Sequence, residues 1–118
     1  MTSAEIFSRM TCVTLFWKGK NLVGLESRGH AESGCKGEDV VCAAVSALVQ
    51  ALLVGLRDVA NVSDIHCEMK KSVPLIHVRW PEGKAPELDL LTRTIAFSLR
   101  EIASGYAGYV SIAEVQSS

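Results

Sequence analysis

Val40 to Leu56 reads VVCAAVSALVQALLVGL, seventeen residues without a charge. The run falls short of the roughly twenty apolar residues that a membrane crossing needs. Ser46 and Gln50 lie inside it, and Asp39 and Arg57 stand at its ends. It is expected to be a helix buried in protein, around which the rest of the chain is arranged. Upstream, Thr11 to Lys18 (TCVTLFWK) is rich in β-branched and aromatic residues, Gly19-Lys20-Asn21 is a turn signal, and Leu22 to about Gly29 follows, which predicts a hairpin. Ala31 to Glu38 holds Gly34 and Gly37 and shows no periodicity, which predicts a mobile loop before Asp39 opens the helix.

Downstream, Ser63 to Lys70 alternates Ile65, Cys67 and Met69 with His66, Glu68 and Lys70, the period of a strand with one wet face. Val73 to Trp80 repeats it with Ile76, Val78 and Trp80. By this pattern Cys12 and Cys67 belong to the sheet core and His66 and His77 face solvent. Pro86 and Glu87 suit the first turn of a second helix, whose stripe is Leu88, Leu91, Ile95, Leu99 and Ile102 and which Gly105 stops. Tyr109 to Val115 reads as a last strand. The order β-β-α-β-β-α-β predicts a two-layer α+β fold, two helices packed on a mainly antiparallel sheet.

A chain of 118 residues is one domain against about 100–200 residues per domain. Twelve Lys and Arg against thirteen Asp and Glu give a net charge of −1, which leaves no basic stripe for counterion-release binding and argues against direct nucleic-acid contact. With 48% hydrophobic residues and a mean hydropathy of +0.23, the chain is oily for a small monomer, and a homodimer would cover the excess. Met1-Thr2-Ser3-Ala4-Glu5 lacks the basic and apolar blocks of a secretory signal, so the protein is expected to be cytoplasmic and its thiols reduced. Cys12, Cys35, Cys42 and Cys67 contain no CxxC pair, which argues against a disulfide framework. A metal site from His30, Cys35 and Cys42 lacks the usual short ligand spacing, and no cofactor is expected.

With Asp39 as N-cap, Cys42 would occupy the third helical position, where the positive helix end lowers a thiol pKa from about 8.5 and favours the nucleophilic thiolate. His30, at the end of the preceding strand, could return through the loop as base toward the thiol and acid toward a leaving amine. Backbone N–H groups of Val41 and Cys42 would supply an oxyanion hole. Ser46, one turn after Cys42, could bond the sulfur or a substrate, or simply back-bond to the helix. By spacing alone, a Cys among Val and Ala is more often a small buried hydrophobe than a nucleophile.

Gly29-His30-Ala31, a Gly-containing loop and then Gly37-Glu38-Asp39-Val40-Val41-Cys42-Ala43-Ala44-Val45-Ser46 resemble the GHA…G-x-D-[IV]-V-C-A-A-V-S signature of the bacterial ribosomal-processing cysteine proteases, the Prp family. The C-terminal Gly-Tyr-Val-Ser-Ile-Ala-Glu agrees more loosely, and the resemblance extends over Met10 to Val115. It leaves residues 1–9 as a leader, expected to be disordered, and 10–118 as the protease domain. The resemblance implies a cytosolic homodimeric endopeptidase that removes a short N-terminal extension from a large-subunit ribosomal protein, the bacterial protein numbered twenty-seven. It implies Cys42 as nucleophile and His30 as its general base and acid, with Asp39 and Ser46 as the motif Asp and Ser. Gly34 and Gly37 would give the loop the freedom to close over substrate. Arg28 stands where Ser or Lys is more usual, and Cys35 adds a second thiol. The competing reading is a non-catalytic dimeric ribosome-assembly module whose Cys and His are structural.

Overall fold

The computed structural model describes residues 10–29, 36–70 and 75–117. The strands β1 (Thr11–Lys18) and β2 (Asn21–Arg28) form the expected hairpin. Gly19 makes their turn at φ 62°, a left-handed conformation that a residue with a Cβ resists. Helix α1 (Lys36–Val54) continues as a π-turn over Gly55–Val59. Strands β3 (His66–Lys70) and β4 (Leu75–Arg79) follow, then a 3-10 turn at Glu82–Lys84, helix α2 (Asp89–Gly105) and strand β5 (Val110–Ser117). The element order and the two-layer α+β class match the expectation.

The five strands lie in the order β3-β4-β2-β1-β5. Every neighbouring pair is antiparallel except β1 and β5, which are parallel. Alternation along β1 sends Val13, Leu15 and Trp17 into one core with Val41, Val45, Val49, Leu52 and Leu56 of α1 and Ile95, Ala96 and Leu99 of α2. The Trp80 indole closes one side of it by donating to the Leu22 carbonyl at 3.0 Å. The helices cross at Gly55, where an added Cβ would lie 2.7 Å from Leu91 Cδ2.

Several expectations need correction. Helix α1 is buried along one stripe rather than all round: Val40 is 64% exposed, and Ala43, Ala47, Ala51 and Val54 face outward too. The span Val40–Val59 is long and apolar enough to cross a membrane by composition, and its inner stripe shows why a core helix passes the same test. Strand β3 begins at His66 rather than Ser63 and lies at the sheet edge, where no helix covers it, so Cys67 is exposed rather than in the core. Cys12 is half-buried on the outer sheet face. His77 is half-buried against Phe16, with Nδ1 3.2 Å from Glu26 Oε1, whereas His66 is exposed as expected. Pro86 and Glu87 belong to the turn before α2, which starts at Asp89.

Candidate active site

The middle of α1, the start of β1, the end of β2, the end of β3 and the start of β4 meet at one end of the sheet. Cys42, Ser46, Val49 and Gln50 share one helix face there, because residues four apart lie one turn above another. Across from them stand Thr11, Ser27 and Gly29 of the β1–β2 hairpin and Met69, Lys70, Leu75 and Ile76 of the β3–β4 pair. Together they line a cleft of about 320 Å³, within the roughly 300–1,000 Å³ typical of ligand sites. Cys42 is half-buried at its wall rather than enclosed in the core.

The register of the sheet builds the opposite wall. Ser27 pairs with Ile76 and Arg28 with Leu75, while Met69 pairs with Ile76 on the edge side. Since α1 does not extend over β3, Met69 remains 61% exposed and gives the cleft an open, apolar flank. Gly29 closes tightly on β1: an added Cβ would sit 3.1 Å from Thr11 Oγ1 and 3.3 Å from its Cγ2. Cys42 and Lys70 are the only ionisable groups among the described lining residues, and Thr11, Ser27, Ser46 and Gln50 supply neutral polar groups.

Of the residues singled out in the sequence, Cys42 and Ser46 are brought together in this cleft. His30, Gly34 and Cys35 lie outside the described residues. Helix α1 already includes Lys36, Gly37, Glu38 and Asp39, so Asp39 is not its N-cap and Gly37 belongs to a helical turn rather than to the loop. Cys42 is consequently the seventh described residue of α1. The field of a helix terminus falls off within the first turn, so activation by the helix end alone is not available to it. The N–H groups of Val41 and Cys42 lie beyond the first four of the helix and enter its hydrogen-bond ladder, which removes them as oxyanion donors.

Thr11, Ser27, Gln50, Met69, Leu75 and Ile76 were not among the expected site residues. Gln50 had a readable signal, since it continues the Cys42–Ser46 spacing by another four residues. The strand residues had none, because only the pairing of β1 with β2, β2 with β4 and β4 with β3 brings them to one cleft with Cys42.

Comparison with known proteins supplies the family. A model described as cysteine protease Prp matches residues 10–111. No curated relative matches the chain. Among solved structures, that of SMU.848 from Streptococcus mutans is similar with a TM-score of 0.83 at 23% identity, covering 92% of this chain and 97% of that one. The essential ribosomal processing protease Prp from S. aureus, in complex with a substrate peptide, gives 0.76 at 21% identity, covering 89% and 99%. The same protease with a covalently linked product peptide gives 0.73 at 22%, with the same coverages. At such identities the structural likeness is one of fold.

Proposed function

The chain belongs to the cysteine protease Prp family, and on that premise we propose that Cys42 is its nucleophile and His30 the general base and acid. The observation that carries this reading is the position of Cys42. A structural cysteine belongs inside the core, whereas this one lines an open cleft whose far wall ends in Gly29, the covalent neighbour of His30. The cleft's apolar side, Val49, Met69, Leu75 and Ile76, suits the apolar side chains of an extended peptide.

In the proposed reaction His30 takes the Cys42 proton and the thiolate attacks the scissile carbonyl carbon, forming a C–S bond. The C–N bond breaks as the imidazolium returns the proton to the leaving amine. Water then attacks the thioester, His30 accepting its proton, and the Cys42 sulfur leaves. In this scheme Asp39 is assigned the orientation of His30, and Ser46, which lines the cleft with Cys42, faces the substrate. The substrate is the precursor of a large-subunit ribosomal protein bearing an N-terminal extension, bacterial protein twenty-seven, and the protein acts in the cytoplasm as a homodimer. Support for the substrate comes from the family and from the function of the S. aureus relative; support for the dimer comes from the apolar outer face of α1.

The test is trimming of the purified precursor by Cys42→Ala and His30→Ala. Both are expected to lose activity while keeping the wild-type melting temperature, since Ala fits a helix at position 42. A Cys42→Ala protein that still trims the precursor refutes the assignment. Iodoacetamide should label Cys42 near neutral pH in the wild type, and more slowly in His30→Ala.

A further inference from the structure

A second cleft lies at the opposite end of the sheet. Thr11 lines the first and Trp17 the second, and six residues of strand separate sites by about 20 Å. The second opening, about 430 Å³, lies between the β1–β2 turn, α2 and the edge strand β5. Its lining carries Lys20, Arg93 and Arg100 against one carboxylate, Glu114. Cations are thus concentrated here in a chain whose net charge is −1.

Aromatic rings and guanidinium groups meet in this cleft. The Arg100 guanidinium lies over the Trp17 ring at 5.5 Å and over the Phe97 ring at 4.8 Å, and Arg93 lies over Phe97 at 5.4 Å. Carboxylates already occupy guanidinium nitrogens: Asp89 Oδ2 accepts from Arg93 Nη1 at 3.1 Å, and Glu114 accepts from Arg100 and from the Trp17 indole at 2.9 Å. A further carboxylate would compete with these bonds, whereas a flat aromatic ligand resting on the exposed part of Phe97 breaks none. Phe97 is 45% exposed, which leaves part of its ring open to a ligand. No carboxylate among the described residues pairs with Lys20, which leaves its ammonium available to an anion.

A partner that fits must be both flat and anionic. We infer that this cleft binds an unpaired nucleotide of a single-stranded nucleic acid, the base resting on Phe97 and Arg93 and the phosphate meeting Lys20. Unpaired bases are recognised in this manner, on aromatic rings and guanidinium planes with cations along the backbone. Net charge, a sum over the whole chain, does not report a local group of cations such as this one. The inference does not depend on Cys42 being the nucleophile.

Fluorescence anisotropy of a labelled, unstructured RNA oligomer with the full-length protein tests it. Saturable binding is expected, weaker for a fully paired hairpin of equal length. Phe97→Ala should weaken affinity by about tenfold, the scale of one lost stacking contact. Lys20→Ala should reduce the slope of log K against log salt by about 0.7, the release from one single-strand phosphate. Phe97→Leu, which keeps the apolar bulk but not the ring, distinguishes lost stacking from lost folding and should behave as Phe97→Ala. Peptidase turnover should be unchanged in all three variants. Absence of saturable binding, equal affinity for the hairpin, displacement by an acidic peptide in preference to RNA, or indifference to Phe97→Leu each overturns the inference.

Discussion

Replacing Gly29 by Ala tests how closely the cleft's strand wall is fitted. The new Cβ would lie 3.1 Å from Thr11 Oγ1 and 3.3 Å from Thr11 Cγ2. Both are a few tenths of an ångström inside ordinary contact, and Thr11 is only 4% exposed, so it has little room to yield. Overpacking of this kind costs typically about 1–3 kcal/mol. The overlap is small and the backbone at Gly29 is not left-handed, which places the expected loss near 1 kcal/mol, the lower end of that range. Activity should suffer more, because the strand end that relaxes leads directly to His30. A misplacement on the order of 1 Å costs about a hundredfold in turnover, and a shift of a few tenths should cost about fourfold by the same scale. Precursor trimming and chemical denaturation are measured on Gly29→Ala, Thr11→Ala and the double variant. Because Thr11→Ala removes both contacting atoms, the double variant should recover most of the loss, giving a coupling of about 1 kcal/mol in stability. Additive effects of the two substitutions, or a turnover that does not fall in Gly29→Ala, would refute the reasoning.

Sedimentation at micromolar concentration should show twice the 12.7 kDa chain, and Ala47→Glu, which places a charge on the exposed face of α1, should shift it toward monomer; a wild-type monomer would count against the proposed dimer. The Glu114 carboxyl is held below the usual carboxylate range, mainly by the hydrogen bond from Arg100, and also by the Trp17 indole, with burial opposing. Its folded pKa being depressed, this carboxylate stabilises the fold above its unfolded value of about 4.3, and that contribution fades as pH falls through the folded value. Glu114→Gln should therefore flatten melting temperature against pH below that point and cost no more than about 1 kcal/mol at neutral pH, as an exposed pair does. An unchanged acid limb would show that Arg100 does not act through this carboxylate.

The helical stripes and the alternating strands were legible in the sequence because both are local. Val41, Val45, Val49, Leu52 and Leu56 repeat at helical spacing, and Val13, Leu15 and Trp17 alternate, so each segment states which of its faces must be buried. The Gly29-His30-Ala31 and Asp39 to Ser46 blocks carried the family in the same local way. Helix starts were less legible. Ala31 to Glu38 has no periodicity to mark the entry into α1 at Lys36, and Pro86 and Glu87 resemble a first turn although the chain adds a 3-10 turn before Asp89.

Pairing was decided by tertiary structure alone. The β3-β4-β2-β1-β5 order and the parallel alignment of β5 with β1 join residues that lie far apart in the chain. A strand's alternation names its buried face but not its neighbour, since backbone hydrogen bonds are the same for every residue with an N–H and a C=O. That pairing sets Met69 and Ile76 opposite Cys42 at one end of the sheet and brings Trp17, Phe97, Arg100 and Glu114 together at the other. The sequence by itself determined the elements, their inner faces and the place of Cys42 on a helix. Both clefts arose only when long-range pairing brought those elements together, because a cleft is a property of the space between elements and no single segment encodes it.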